Sequence, residues 1–310
     1  MKILGLCLPL REKADTFDIY GLVAPVFTPL DEDGEIKFDV IPIYAKYLAK
    51  ENITGVLVGG TTGEFASFNT QERKELVDAW LKVAGPLNLK VIVQVGGASL
   101  PDVITMAQHA EERKVDAIMT LPELYFRPKT AEHLVSYLEV VSKAAPSLPI
   151  LYYHFPMMTG VNLNVAEFFT LACRRIPNFM GLKADLHDAT QLADQLKCGK
   201  LTYIANHMLG PSALMGHDSS IATVNNIFPS LVKDIVRLTK CGEVDKAKKL
   251  QDKLNSMVNG ILCNGDFVPC MKAAMEVVTG IKVGPPRMPQ KPLNEPHKRR
   301  VEDILKMYQY

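Results

Sequence analysis

Three short stretches carry side chains whose types and spacing could do chemistry. The first is Phe179-Met180-Gly181-Leu182-Lys183-Ala184. A lysine in an otherwise apolar run points its amine into a space of low dielectric, which disfavours the ammonium form. A free amine attacks a ketone and forms a Schiff base, as a solvated lysine rarely does at neutral pH. The competing reading is a lysine at a strand terminus whose head reaches water. The second stretch is Tyr152-Tyr153-His154-Phe155-Pro156, where a phenol could shuttle a proton or simply pack with its hydroxyl satisfied. The third is Gly59-Gly60-Thr61-Thr62-Gly63-Glu64. Its glycines let backbone approach a ligand, and two hydroxyls beside N–H groups suit a carboxylate or phosphate. A plain glycine turn leading into a helix cap would read the same way.

Each stretch lies at the end of a short apolar, β-rich run. Eight such runs recur: Leu22–Val26, Gly55–Val58, Val91–Val95, Ala117–Thr120, Ile150–Tyr153, Gly181–Ala184, Tyr203–Ala205 and Ile221–Val224. Most are continuously apolar, as in parallel strands covered on both faces. Helical periodicity fills the gaps. It covers Phe38–Leu48, a helix capped by Thr70 with Glu72 in its first turn, Leu100–Arg113, Thr130–Lys143, Val165–Arg174, Asp188–Leu196 and Pro229–Thr239. One strand and one helix per repeat of about 20 to 35 residues, eight times over, predicts an α/β fold closed as a (β/α)₈ TIM barrel. A doubly wound sheet would follow its first strand with a glycine-rich dinucleotide loop, whereas Val26-Phe27-Thr28-Pro29-Leu30 stands there. From Gly242 onward the pattern is helical without new strands. The expected organisation is an N-terminal extension over 1–19, a barrel over 20–240 and a small C-terminal helical extension over 241–310. Barrel chemistry sits at the loops where strands end, which is where the three stretches fall.

Composition excludes several functions. Of 310 residues 47% are hydrophobic and 22% charged, and 35 basic residues face 34 acidic ones. That balance gives no basic footprint for nucleic acid or an anionic membrane. No apolar run reaches the roughly 18 residues needed to cross a bilayer. Cys7, Cys173, Cys198, Cys241, Cys263 and Cys270 form no Cys-x-x-Cys pair, so reduced thiols and a cytoplasmic location are expected. Met1–Leu10 has the look of a secretory signal but is short, carries Pro9 and lacks a small-x-small cleavage site. Asn52-Ile53-Thr54 is a chance-level sequon. The seven histidines show no metal-ligand spacing, so neither a metal nor a cofactor is expected. The basic run His297-Lys298-Arg299-Arg300 reads as a solvated helix face.

Taken together the stretches resemble the pyruvate-dependent class I aldolases of the dihydrodipicolinate synthase and N-acetylneuraminate lyase family. The resemblance runs from about Tyr20 to Pro289. It rests on Gly60-Thr61-Thr62-Gly63-Glu64, on Tyr152-Tyr153-His154-Phe155-Pro156-x-x-Thr159-Gly160-Val161 and on Gly181-Leu182-Lys183. Lys272-Ala273-Ala274-Met275, Gly280 and Gly284-Pro285-Pro286-Arg287-Met288-Pro289 complete it. It implies that Lys183 forms the Schiff base, that Tyr153 moves the proton, and that Thr61 and Thr62 hold the carboxylate of a small-molecule 2-oxo acid. It also implies a homotetramer. The expected reaction is cleavage of N-acetylneuraminate to pyruvate and N-acetylmannosamine. The alternatives are an aldolase for another 2-oxo acid, of the 4-hydroxy-2-oxoglutarate type, or a silent binder of such acids.

The substrate side departs from the lyase pattern. Where that pattern has Gly-x-Asp-Glu, an ungapped alignment places Ile204-Ala205-Asn206-His207. Two residues after the lysine a serine is replaced by Asp185, and the serine of the eighth strand is Thr223. The Pro122–Pro128 loop, with Tyr125, is one residue longer; in some relatives a tyrosine of that loop reaches a neighbouring subunit. Asp185, Ile204, Asn206, His207 and Thr223 are thus the candidate residues for the sugar end of the substrate.

Overall fold

The structure, a computed structural model, describes residues 17–192 and 199–310. Met1–Leu10, most of the 1–19 extension, Cys7, Cys198 and the end of the helix expected over Asp188–Leu196 lie outside the described residues.

All eight expected strands form, and they close in sequence order into one parallel barrel. They are β1 (Leu22–Pro25), β2 (Gly55–Val58), β3 (Lys90–Gln94), β4 (Ala117–Thr120), β5 (Ile150–Tyr153), β6 (Phe179–Ala184), β7 (Leu201–Ile204) and β8 (Ser220–Ile221). Three match the expected ranges, β1, β3 and β6 shift by one or two residues at their ends, and the last two differ most. β7 begins at Leu201 and stops before Ala205. β8 ends at Ile221, because Val224 already starts the helical turn Val224–Ile227, with Thr223 at its N-cap position.

Helix starts differ as well, two of them through the choice of cap. Asn69, not Thr70, caps the helix Thr70–Ala84. Its side chain accepts from Glu72 N at 3.0 Å, and the Glu72 carboxylate accepts from Asn69 N at 2.8 Å. That reciprocal pair needs cap and glutamate three residues apart, a spacing Asn69 has and Thr70 lacks. The helix after β6 starts at Leu186 rather than Asp188, with Asp185 as its cap, and ends at Thr190.

Strand alternation divides the core in two. Val23, Leu57, Ile92, Met119, Leu151, Tyr203 and Ile221 fill the barrel interior, and Ile19 joins them from the segment before β1. The Tyr203 hydroxyl donates to the Ile19 carbonyl. Val56, Val58, Val91, Val93, Ile118 and Leu182 face outward into the larger cluster between strands and helices, where Trp80 is fully buried. Each such large apolar side chain contributes about 1.5–3 kcal/mol by leaving water.

The chain after Lys240 forms three further helices, Val244–Leu262, Phe267–Thr279 and Glu295–Met307. The last buries Val301 and Leu305 and exposes Lys298, Arg299 and Arg300. The segment between the last two helices docks back on the barrel. Leu30 N donates to Val283 O at 3.1 Å. Gly284 has φ +68°, and a Cβ there would lie 1.9 Å from Leu30 O, so only glycine permits the approach. The Arg287 guanidinium donates to Gly34 O, pairs with Glu72 at 2.7 Å and covers the Phe68 ring. Among the described residues no helix is long and apolar enough to cross a membrane.

Candidate active site

An irregularity in β6 decides where Lys183 points. Phe179 pairs with Ile150 and Gly181 with Leu151, which leaves Met180 as an extra residue. Phe179 packs outward. With strict alternation Lys183 would follow it outward. The inserted residue reverses the phase, so Leu182 packs outward beside Tyr152 and Lys183 turns inward beside Tyr153, its register partner. Gly181 makes the bulge possible: its φ is +145°, and a Cβ would meet Leu201 O at 1.9 Å.

Lys183 is 4% exposed, with Nζ 3.9 Å from the centroid of the Tyr153 ring. Among the described residues no carboxylate pairs with it. Tyr153 stacks on Phe155, with ring centroids 5.6 Å apart and planes within 3°. Its hydroxyl lies 3.2 Å from the Thr61 hydroxyl. The Thr62 hydroxyl lies 2.7 Å from that of Thr223. The turn carrying both threonines is fixed from several sides. Thr28 Oγ1 donates to Gly63 O at 2.8 Å, and Glu64, in a left-handed conformation, pairs with buried Lys272 at 2.6 Å. The structure therefore links Lys183, Tyr153 and Thr61 directly, with Thr62 and Thr223 alongside.

The remaining candidates are placed differently. Asp185 is exposed, and one carboxylate oxygen accepts from Asp188 N at 3.0 Å. Ala205 N donates to Ala184 O at 2.8 Å, which seats the Asn206–His207 turn next to Asp185. Asn206 Oδ1 accepts from Met208 N at 3.1 Å, closing that turn on itself. His207 is half-buried, its carbonyl accepts from Gln251 at 2.7 Å, and burial pulls its imidazole below the usual range. The Ile204 side chain packs outward with Ala184 and Leu209, so only its backbone is left to the mouth. Tyr125 stands 85% exposed, edge-on to Phe126 at 5.1 Å.

Two features escaped the residue-by-residue reading. His154 N donates to Lys183 O at 2.9 Å, while its ring lies 3.3 Å from Asp188 and 3.4 Å from the Tyr152 hydroxyl. Burial lowers the affinity of His154 for a proton and raises that of Asp188. Nothing in their spacing pairs them; the adjacency of β5 and β6 does. The Lys272–Glu64 pair did leave a signal, because Lys272 interrupts the apolar run Val268–Met275 much as Lys183 interrupts β6.

Several known proteins resemble nearly the whole chain. The dihydrodipicolinate synthetase family model matches residues 18–308. The N-acetylneuraminate lyase of Homo sapiens is 33% identical over 277 residues, covering 87% of each chain. The N-acetylneuraminate lyase of Proteus mirabilis superposes with a TM-score of 0.88 at 27% identity, over 94% of this chain and 99% of that one. A 2-keto-3-deoxygluconate aldolase of Sulfolobus solfataricus superposes with a TM-score of 0.83 at 25% identity, over 93% and 96%. The chain belongs to the dihydrodipicolinate synthetase family and is a lyase of its class I aldolase type.

Proposed function

We propose that this enzyme cleaves N-acetylneuraminate to pyruvate and N-acetylmannosamine through an imine on Lys183. The observation that carries the reading is the inward amine of Lys183 against the Tyr153 ring, with the Tyr153 phenol bonded to Thr61. The amine adds to the C2 ketone of the open-chain substrate and water leaves, giving a protonated imine. That imine is an electron sink. When the C3–C4 bond breaks, its electron pair flows into the imine to form an enamine, and the C4 hydroxyl loses its proton as the aldehyde departs. Tyr153 relays that proton: its oxygen accepts it as its own hydroxyl proton passes to the substrate carboxylate, with the Thr61 hydroxyl holding the phenol in place. Protonation of the enamine at C3 and hydrolysis then free pyruvate and the amine. Thr61 and Thr62, on their glycine-flanked turn, receive the 2-oxo acid's carboxylate in this reading.

A second reading is an aldolase for a shorter sugar acid. Asn206 and His207 favour it, since neither brings the negative charge that binds sugar hydroxyls most strongly. The likeness to the Sulfolobus solfataricus aldolase is consistent with it. Aldehyde release from N-acetylneuraminate and from 2-oxo acids of decreasing length separates the two. The first reading expects the highest kcat/KM on N-acetylneuraminate; a preference for six-carbon or shorter acids, with N-acetylneuraminate ignored, replaces it with the second.

A further inference from the structure

The ion pair between Lys272 and Glu64 is buried on both sides, with side-chain exposures of 2% and 0% and a separation of 2.6 Å. Burial pulls the Lys272 amine below its usual range, and Glu64 opposes that pull. Such a pair gains little stability over apolar residues of the same shape, because two charges must leave water. What it supplies is geometry. Glu64 has φ +59°, and its carboxylate is held entirely by the C-terminal extension. Lys272 contacts Oε1, while Arg287 N donates to Oε2 at 2.7 Å and Gln290 Nε2 to the same oxygen at 3.1 Å. Lys272 is itself anchored by a bond to Pro285 O at 2.8 Å. On the other side Glu64 N donates to Thr61 O at 3.1 Å, and Thr61 is bonded to the Tyr153 phenol. A chain of contacts thus runs from the helix Phe267–Thr279 to the hydroxyls beside Lys183.

We infer that Lys272 is a positioning residue: through Glu64 it sets the Thr61-Thr62 turn in the geometry that receives the 2-oxo acid's carboxylate. This rests on the imine reading above. It makes the C-terminal extension part of the substrate-binding apparatus rather than a covering for the barrel.

The test uses the full chain and pyruvate as the probe. Borohydride trapping at Lys183 is followed against pyruvate concentration, giving a half-saturation and a limiting rate, with the thermal midpoint recorded beside them. Lys272→Met should raise the half-saturation about tenfold or more, the scale of one charge-assisted bond, while the limiting rate stays within about threefold. The apolar double variant Lys272→Met/Glu64→Leu should regain most of the thermal midpoint but not the half-saturation. A merely structural role would recover both together, and that result overturns the inference. Should these variants fail to fold, Gln290→Leu removes a single bond to Glu64 from a half-buried side chain. It should raise the half-saturation about threefold or more, and an unchanged value overturns the inference. Absence of trapping in the wild type defeats the imine reading, and this one with it. Trapping in the wild type with unmoved half-saturation in the variants defeats this one alone.

Discussion

The two sides of the barrel mouth are built on different rules. Around Lys183, Tyr153 and Thr61, positions are set by distant parts of the chain. A bulge in β6 turns the lysine inward, Thr61 from the turn after β2 reaches Tyr153 at the end of β5, and helix Phe267–Thr279 secures that turn through Lys272 and Glu64. Beside His207, the side chains of Asp185 and Asn206 are engaged close to home: Asp185 accepts from Asp188 N and Asn206 from Met208 N. A global constraint resists substitution, since moving one residue disturbs several elements. A local cap tolerates it, since any residue with the same acceptor closes the turn. Under the proposed function, the imine side is therefore the part of the site that keeps its chemistry, and the far side the part free to change its substrate.

The sharpest way to break this contrast is Gly181→Ala. The added Cβ meets Leu201 O at 1.9 Å in a conformation L-residues rarely adopt. Relieving that clash removes the bulge and returns Lys183 to the outward phase, so trapping and turnover should both be lost. Gly85→Ala, where a Cβ meets nothing within 4 Å, is the control and should leave activity unchanged. Activity surviving in Gly181→Ala means the bulge does not aim Lys183. Tyr153→Phe comes next. It keeps the ring under the amine and deletes the hydroxyl, so kcat should fall about 10²- to 10⁴-fold with imine formation less affected. A change under about threefold points to packing alone.

On the far side the expected effects are smaller and can be gains. Asn206→Asp keeps the oxygen that caps Met208 and adds charge; His207→Glu adds a second carboxylate. Each new charge-assisted bond is worth about 1.5–3 kcal/mol, so KM for N-acetylneuraminate should drop at least about tenfold in the double variant. Pyruvate trapping should not move. An unchanged or higher KM means these positions do not hold the sugar.

The barrel was legible because continuous apolar runs and helical periodicity alternate at near-constant spacing; three strand ranges match the structure and the other five differ from it only at their ends. The ends failed where a local competitor decided them. Asn69 displaced Thr70 because only it stands three residues before Glu72, and Val224 left β8 because the chain turns helical there. Lys183 and Lys272 are the instructive pair. Both interrupt apolar runs and both are buried, at 4% and 2% exposure, yet Lys272 meets a carboxylate from the turn after β2 and Lys183 meets a tyrosine ring. Periodicity flags both lysines but carries no information about which side chain each one meets across the fold. The bulge was equally hidden, because Gly181 reads in sequence as one more residue of a strand.

The central claim is that the amine turned inward by the β6 bulge is the one that attacks the ketone. Incubation with pyruvate and borohydride, followed by proteolysis and mass spectrometry, tests it directly. The account predicts a reduced pyruvyl adduct on the peptide containing Lys183, absent from Lys183→Met. No adduct, or an adduct on Lys272 or any other lysine in its place, contradicts it.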